Sequence, residues 1–232
     1  MQRIIVLNPK GGSGKTTVAT NLASYFARGG QKTTLIDHDS QGSSTYWVGK
    51  RGEQQAPITC IPAYKQVTGV TRSWAMRTEP DVQKIIVDTP AALDLTQFGS
   101  ELNQADAILI PVLPSEIDIR AVADCVANLL LRAKVRCREE RIGVIANRAK
   151  LNTRVYKKLV NFLESLSIPF ITTLRDSQNY VRCAEAGVGL FEMPVEARLE
   201  PDLIAWRDII DWIESRPAIG VGVPGSDNKR KR

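Results

Sequence analysis

Histidine and cysteine are scarce in this sequence, and the few that occur are scattered. His38 is the one histidine among 232 residues, and no two cysteines form a CxxC pair. A zinc site needs several His or Cys ligands at short spacings, so this pattern argues against one. The cysteines are Cys60, Cys125, Cys137 and Cys183, which we expect to be reduced thiols that fill the core or the surface.

Long apolar runs are missing as well. No stretch approaches the roughly 18 residues that a helix needs to span a bilayer. The first apolar segment, Ile4–Leu7, is too short for the apolar region of a signal peptide and leads directly into a glycine-rich loop. We therefore expect a soluble protein of the cytoplasm.

The net charge of +6 is unevenly distributed along the chain. Residues 216–232 contribute +4, which leaves only +2 for residues 1–215. Glycine, proline and terminal basic residues cannot form a core, so we predict that 216–232 is a disordered basic tail. The charge indicates an anionic partner, although the body of the protein is not broadly basic.

Short apolar segments rich in Ile and Val alternate with longer amphipathic segments. The predicted strands are Ile4–Leu7, Thr33–Ile36, Ile85–Val87, Ala107–Pro111, Ile142–Ala146 and Pro169–Thr172. The predicted helices are Thr16–Arg28, Ile119–Lys134, Arg154–Leu166, Ser177–Ala186 and Pro201–Trp212. This order predicts a doubly wound α/β fold over residues 1–215, a single domain whose mostly parallel sheet has helices on both faces. Two segments, Gly49–Pro80 and Ala91–Gln104, show no clear pattern and are expected to hold a short edge element and loops.

A glycine-rich loop follows the first predicted strand directly. Residues 10–17 read Lys-Gly-Gly-Ser-Gly-Lys-Thr-Thr and lead into a helix, the context that a phosphate-binding Walker A motif requires. Glycines let backbone N–H groups surround a phosphate, and the helix adds the positive end of its dipole. We predict an ATP site in which Lys15 reaches the β- and γ-phosphates and Thr16 ligates Mg²⁺. The predicted nucleotide-binding residues of the loop are Gly11, Gly12, Ser13, Gly14, Lys15, Thr16 and Thr17.

A second lysine, Lys10, stands at the front of this loop. The form Lys-Gly-Gly-Xaa-Gly-Lys-Thr resembles the deviant Walker A motif of the ParA/MinD ATPases. The resemblance covers roughly residues 1–212. It implies a homodimer in which Lys10 crosses the interface and contacts phosphates held by the other subunit, so that Lys10 and Lys15 are both catalytic. It also implies that Gly12 must stay small, because two such loops face each other. The alternative is that Lys10 is a solvated loop charge.

The segment Asp37-His38-Asp39-Ser40-Gln41-Gly42 resembles the family's second motif, Asp-Xaa-Asp-Pro-Gln-Gly. By this resemblance, Asp39 positions the attacking water. Asp39 would point the same way as Asp37 if the strand continued, and His38 would face away from both. Ser40 in place of proline and His38 in the middle depart from the pattern, which puts the hydrolysis rate in doubt rather than nucleotide binding.

An aspartate also ends the strand of Lys84-Ile85-Ile86-Val87-Asp88, which looks like a Walker B strand. A carboxylate at the end of an apolar strand beside a phosphate loop is placed to hold Mg²⁺ through water. A turn-capping role is the alternative for Asp88. The expected metal-site residues are therefore Thr16, Asp39 and Asp88.

Later positions resemble the adenine end of the family's site. Asn147 ends a predicted strand where the family often places an asparagine that contacts the base, although an Asn there is also a common turn residue. Pro194 and Val195 fall where a loop usually covers the purine. We expect all three to contact the nucleotide.

The resemblance implies a function of the ParA type. Such ATP-bound dimers bind nucleoid DNA non-specifically, and a cargo-bound adaptor with a ParB-like role stimulates hydrolysis; the cargo is a plasmid, a chromosome region, a carboxysome or another large assembly. Non-specific binding needs cations that contact phosphates. The candidates are Arg154, Lys157, Lys158, Arg175 and Arg182, with a solvated charged face as the alternative for each.

The alternative function is a MinD-like membrane-associated ATPase that places division or polar machinery. It needs a basic amphipathic C-terminal helix, but residues 202–214 carry a net charge of −3, which anionic lipid repels. We therefore expect no stable membrane association. Biosynthetic enzymes that share the loop are less favoured, since the iron–sulfur type needs paired cysteines that this sequence does not place suitably.

Overall fold

Seven strands, paired in parallel throughout, form one sheet in the computed structural model. The structure describes residues 1–65, 78–95, 98–131, 141–165, 168–194, 199–216 and 218. The strands are β1 (Gln2–Val6), β2 (Thr33–Asp37), β3 (Ile58–Pro62), β4 (Lys84–Asp88), β5 (Ala107–Val112), β6 (Ile142–Ala149) and β7 (Phe170–Arg175). Their order across the sheet is β3-β2-β4-β1-β5-β6-β7.

Helices cover both faces of this sheet. They are α1 (Lys15–Arg28), α2 (Ser43–Gly49), α3 (Gly99–Asn103), α4 (Glu116–Leu131), α5 (Arg154–Ser165), α6 (Gln178–Ala186) and α7 (Glu200–Glu214), with a short 3₁₀ helix at Leu190–Glu192. The predicted doubly wound α/β fold is confirmed. All six predicted strands are present, and β3 is the edge element expected within 49–80.

Two apolar layers hold the helices against the sheet. Alternate residues of β1 point to opposite faces, so Ile4 packs with α1, α2, α6 and α7, whereas Ile5 packs with α3, α4 and α5. Because both faces are covered, a strand such as β4 is buried at every position. This burial explains the continuous apolar runs in the sequence.

The last helix, α7, packs on the sheet with its apolar face. Trp206, Ile209 and Ile213 are fully buried in the layer that also holds α1. Within the described residues, no helix is long and apolar enough to cross a membrane. Most of the apolar residues of 202–214 therefore belong to the core, whereas Ile204 is exposed. The predicted tail, 216–232, lies almost wholly outside the described residues, and its disorder stays a prediction.

The carboxyl ends of the central strands bring the motifs together. Asp88 at the end of β4 is in register with Asp37 of β2 on one side and Val6 of β1 on the other. The loop that follows β1 therefore lies next to both aspartates. Ligands of doubly wound sheets bind at this edge.

Candidate functional site

The glycine-rich loop wraps from β1 into α1 through two left-handed residues. Gly12 has φ +74° and Gly14 has φ +93°, a region that residues with a side chain rarely adopt. Gly14 is also the N-cap of α1, so the free N–H groups of the helix start at the loop. This geometry is suited to an anion such as phosphate.

Gly14 is further required by close packing against Asn147. A Cβ on Gly14 would lie 2.0 Å from Asn147 Nδ2, and that Nδ2 donates a hydrogen bond to Ser13 O at 2.8 Å. Asn147 Oδ1 accepts from Arg148 N at 3.0 Å. Asn147 thus anchors the phosphate loop, and a contact with the adenine base stays a prediction.

Gly12 differs from Gly14 because no atom of the described residues lies within 4 Å of a Cβ built on it. Packing within the subunit therefore does not require a glycine at this position. The left-handed backbone conformation of Gly12 does require a glycine. A molecule that approaches the loop closely from outside would require one as well.

The Lys15 side chain lies along the loop and is nearly buried. Its Nζ donates to Lys10 O at 3.0 Å. Burial lowers the pKa of Lys15, while the attraction of Asp88 and Asp39 opposes this shift. The ammonium thus lies near two carboxylates, at the place where the motif predicts phosphate.

Two hydroxyl groups converge on one oxygen of Asp88. Thr16 Oγ1 and Ser44 Oγ each donate to Asp88 Oδ2 at 2.7 Å. Asp88 Oδ1 is buried and has no hydrogen-bond partner in the part of the chain that the structure describes. Burial raises the pKa of Asp88 to about 6, although the hydrogen bonds from the two hydroxyl groups lower it in part.

The unpartnered oxygen of Asp88 beside the Thr16 hydroxyl fits a Mg²⁺ ion. No cluster of three or more His, Cys, Asp or Glu side chains occurs in the described part of the chain. This is consistent with Mg²⁺, which is often held by one or two protein oxygens together with water and substrate phosphates. Ser44, which sequence reasoning missed, orients the same carboxylate from α2.

Asp37 and Asp39 have different surroundings. Asp37 is fully buried, and its Oδ2 accepts from the N and Oγ1 of Thr45 at 2.9 and 2.8 Å. Strand β2 ends at Asp37, so the condition for strand alternation, a strand that continues to Asp39, is not met. Asp39 lies instead in the following turn and lines the cleft beside the phosphate loop.

His38, between them, is buried. Its ring packs edge-to-face on Phe98, with centroids 5.1 Å apart, and its backbone N donates to Asp88 O at 3.0 Å. It is not among the residues that line the cleft, so the structure gives it a packing role.

The cleft beside the loop has a volume of about 790 Å³. Eight of the predicted site residues line it: Gly11, Gly12, Gly14, Lys15, Thr16, Thr17, Asp39 and Asn147.

Ser13 is buried, and its hydroxyl donates to Lys10 O at 3.2 Å. Pro194 is exposed and does not line the cleft, and Val195 lies outside the described residues. Their purine contacts stay predictions.

The far wall of the cleft comes from residues that sequence reasoning did not assign to the nucleotide. They are Arg148, Asp176 and the first two turns of α6, together with Tyr46 of α2. Ser177 caps α6 by accepting from Asn179 N. A serine before a helical pattern is a readable N-cap signal, but it does not show that the helix borders a nucleotide cleft.

The five basic candidates for DNA contact do not share one environment. Arg154, Lys157 and Arg182 are exposed. Lys158 Nζ lies 2.5 Å from Glu116 Oε1 at the surface. Arg175 Nε lies 2.6 Å from Asp202 Oδ1, and that carboxylate is fully buried, so Arg175 stabilises the junction of β7 and α7.

The sequence matches the model of the CobQ/CobB/MinD/ParA nucleotide binding domain over residues 4–190. The chain belongs to this family. Among its ParA-type relatives is the maintenance of carboxysome distribution protein A of Halothiobacillus neapolitanus, which is 27% identical over 205 residues, 87% of this chain and 92% of that protein. The chromosome-partitioning ATPase Soj of Thermus thermophilus is 30% identical over 172 residues, 62% of this chain and 68% of that protein.

A solved ParA-type structure confirms the fold. The plasmid partition protein of Borrelia burgdorferi B31 bound to AMPPNP superposes with a TM-score of 0.70 at 17% identity, over 91% of this chain and 99% of that one. At this identity the likeness concerns the fold alone.

The ParA/MinD turn after β2 forms in this chain without its usual proline. Gly42 N donates to Asp39 O at 2.9 Å, and Gln41 N donates to Asp39 Oδ1 at 3.0 Å. Ser40 therefore does not prevent the turn that holds Asp39 at the cleft.

Proposed function

We propose that this chain is an ATPase of the ParA type that dimerises around ATP and Mg²⁺, binds nucleoid DNA non-specifically, and positions a cargo through an adaptor protein. The observation that carries the proposal is the phosphate loop with Lys10 at its front and open space above Gly12. The carboxysome-distribution and chromosome-partitioning relatives support the class of function.

The loop residues hold the nucleotide. The N–H groups of residues 11–17 surround the phosphates, and Lys15 supplies a positive charge that is already close to its acceptors. Mg²⁺, when bound, neutralises charge on the phosphates. Thr16 and Asp88 would hold the ion, with Asp88 kept in place by Ser44.

Asp39 orients the water that attacks the terminal phosphate. Replacing it with alanine removes this group without disturbing the phosphate loop, so Asp39→Ala is expected to lower the hydrolysis rate at least about 100-fold. ATP affinity should change little, and the ATP dimer should accumulate. Phosphate release under single-turnover conditions measures the first effect, and sedimentation velocity measures the second.

Asp124→Ala serves as the control, because Asp124 is an exposed aspartate on α4 outside the nucleotide cleft. Its hydrolysis rate should equal that of the wild type. Fast hydrolysis by Asp39→Ala would exclude Asp39 from the reaction.

DNA binding should depend on both ATP and salt. Cations on the dimer displace counterions from DNA, so log K should fall linearly with log salt, by about 0.9 per phosphate contact. We expect binding with ATP and Mg²⁺, little binding with ADP, and no preference for sequence. Fluorescence anisotropy on two unrelated duplexes at several salt concentrations tests this.

Two variants test where the DNA surface lies. Arg154→Ala with Lys157→Ala removes two exposed cations of α5 from each subunit, four per dimer, and should lower the salt slope by about 3.6. Arg28→Ala removes an exposed cation at the far end of α1 and should leave the slope unchanged. Binding to vesicles with anionic lipid but not to DNA would favour the MinD-like alternative. The burial of the apolar face of α7 argues against that alternative.

A further inference from the structure

The Lys10 side chain is paired within its own subunit. Its Nζ lies 3.7 Å from Asp118 Oδ1, with the lysine side chain 35% exposed and the aspartate 9%. The backbone of Lys10 is held more tightly, since its N donates to Asn8 Oδ1 and its O accepts from Lys15 Nζ. The ammonium is therefore the part of Lys10 that can move.

Asp118 is fixed in the first turn of α4. Its backbone N donates to Ser115 Oγ at 3.1 Å, and the Ser115 hydroxyl donates in return to Asp118 Oδ2. The N-terminus of the helix also favours a negative charge at this place. Because the carboxylate is held at one oxygen, it cannot follow the lysine, and its other oxygen faces Lys10.

Contact of Lys10 with phosphates of the partner subunit would compete with Asp118 for the same ammonium. We propose that Asp118 is a positioning residue that keeps Lys10 on its own subunit and thereby sets the protein concentration at which the ATP dimer forms. This rests on the proposed function, in which Lys10 contacts phosphates of the partner. The triphosphate of ATP carries more charge than the diphosphate of ADP, so ATP competes better for the ammonium.

Each dimer has to release two such lysines. Removing the Asp118 carboxylate therefore favours the dimer once in each subunit. We expect Asp118→Asn to lower the dissociation constant of the ATP dimer about tenfold, which equals ~1.4 kcal/mol for the two Lys10–Asp118 pairs together. The affinity of the monomer for ATP should not change, because Asp118 does not line the nucleotide cleft. Sedimentation equilibrium with a non-hydrolysable ATP analogue measures the first quantity, and titration of dilute protein with fluorescent ATP measures the second.

Two further variants make the test specific. Asp118→Glu restores the charge and should bring the dissociation constant back towards that of the wild type. Asp124→Asn removes an exposed carboxylate of the same helix, which has no ion pair with Lys10, and should have no effect.

An unchanged dissociation constant for Asp118→Asn would overturn the proposal, and so would a weaker dimer, which would mean that Asp118 acts across the interface instead. Failure of the proposed function has a different signature. In that case the wild type forms no ATP-dependent dimer, or Lys10→Ala dimerises as well as the wild type.

Discussion

Lys15→Ala is expected to weaken ATP binding roughly 30- to 3,000-fold. The lysine is nearly buried, and its Nζ is already within the loop at 3.0 Å from Lys10 O. In the proposed complex this buried lysine pairs with the phosphates, and losing one member of a buried charge pair costs about 2–5 kcal/mol. At 1.4 kcal/mol per factor of ten, this is a loss of roughly 30- to 3,000-fold.

Titration with a fluorescent ATP analogue measures the loss. Lys150→Ala is the matched control, because Lys150 is an exposed lysine that does not line the cleft. It should bind ATP as the wild type does. Thermal unfolding without nucleotide confirms that both variants are folded. ATP affinity within a few-fold of the wild type in folded Lys15→Ala would contradict the assignment.

Gly12→Val is expected to abolish the ATP-dependent dimer while sparing much of the nucleotide binding. Within the subunit, a Cβ at Gly12 meets nothing within 4 Å, so the valine side chain projects outward from the loop. If a second loop faces it across the nucleotides, the added methyl groups occupy the space of the partner. Overlap of this kind is not relieved by small movements, and the dimer dissociation constant should rise at least about 100-fold.

Gly30→Val separates this effect from backbone strain. Gly30 also has a left-handed φ, +78°, and open space around its Cβ, so valine carries a similar conformational cost there. It lies after the C-terminus of α1, away from the loop. Sedimentation velocity with a non-hydrolysable ATP analogue should show monomer for Gly12→Val and dimer for Gly30→Val. Dimer in both would refute the facing loops.

The sequence signals for the phosphate loop are local. Residues 10–17 follow an apolar strand and open a helix, and each of these features can be read within a few residues. Asp88 was identifiable for the same reason, since it ends a continuously apolar strand. The alternation of strands and helices likewise predicted a doubly wound sheet without any knowledge of contacts.

Contacts between distant residues could not be predicted in this way. Ser44 and Asp88 are separated by 44 positions, and Arg175 and Asp202 by 27. Helix α2 was missed because only Ser44 and Trp47 of its seven residues are buried, too few to produce a helical period. Arg175 was grouped with the DNA candidates because its charge was visible in the sequence and its buried partner was not.

The position of Lys10 in a crystal structure with Mg²⁺ and a non-hydrolysable ATP analogue tests the central claim most directly. We predict two chains face to face, with each Lys10 Nζ about 3 Å from a phosphate oxygen held by the partner and no longer beside Asp118. A nucleotide-bound dimer in which each Lys10 remains on the Asp118 of its own subunit would contradict the claim, as would a nucleotide-bound monomer at saturating protein concentration.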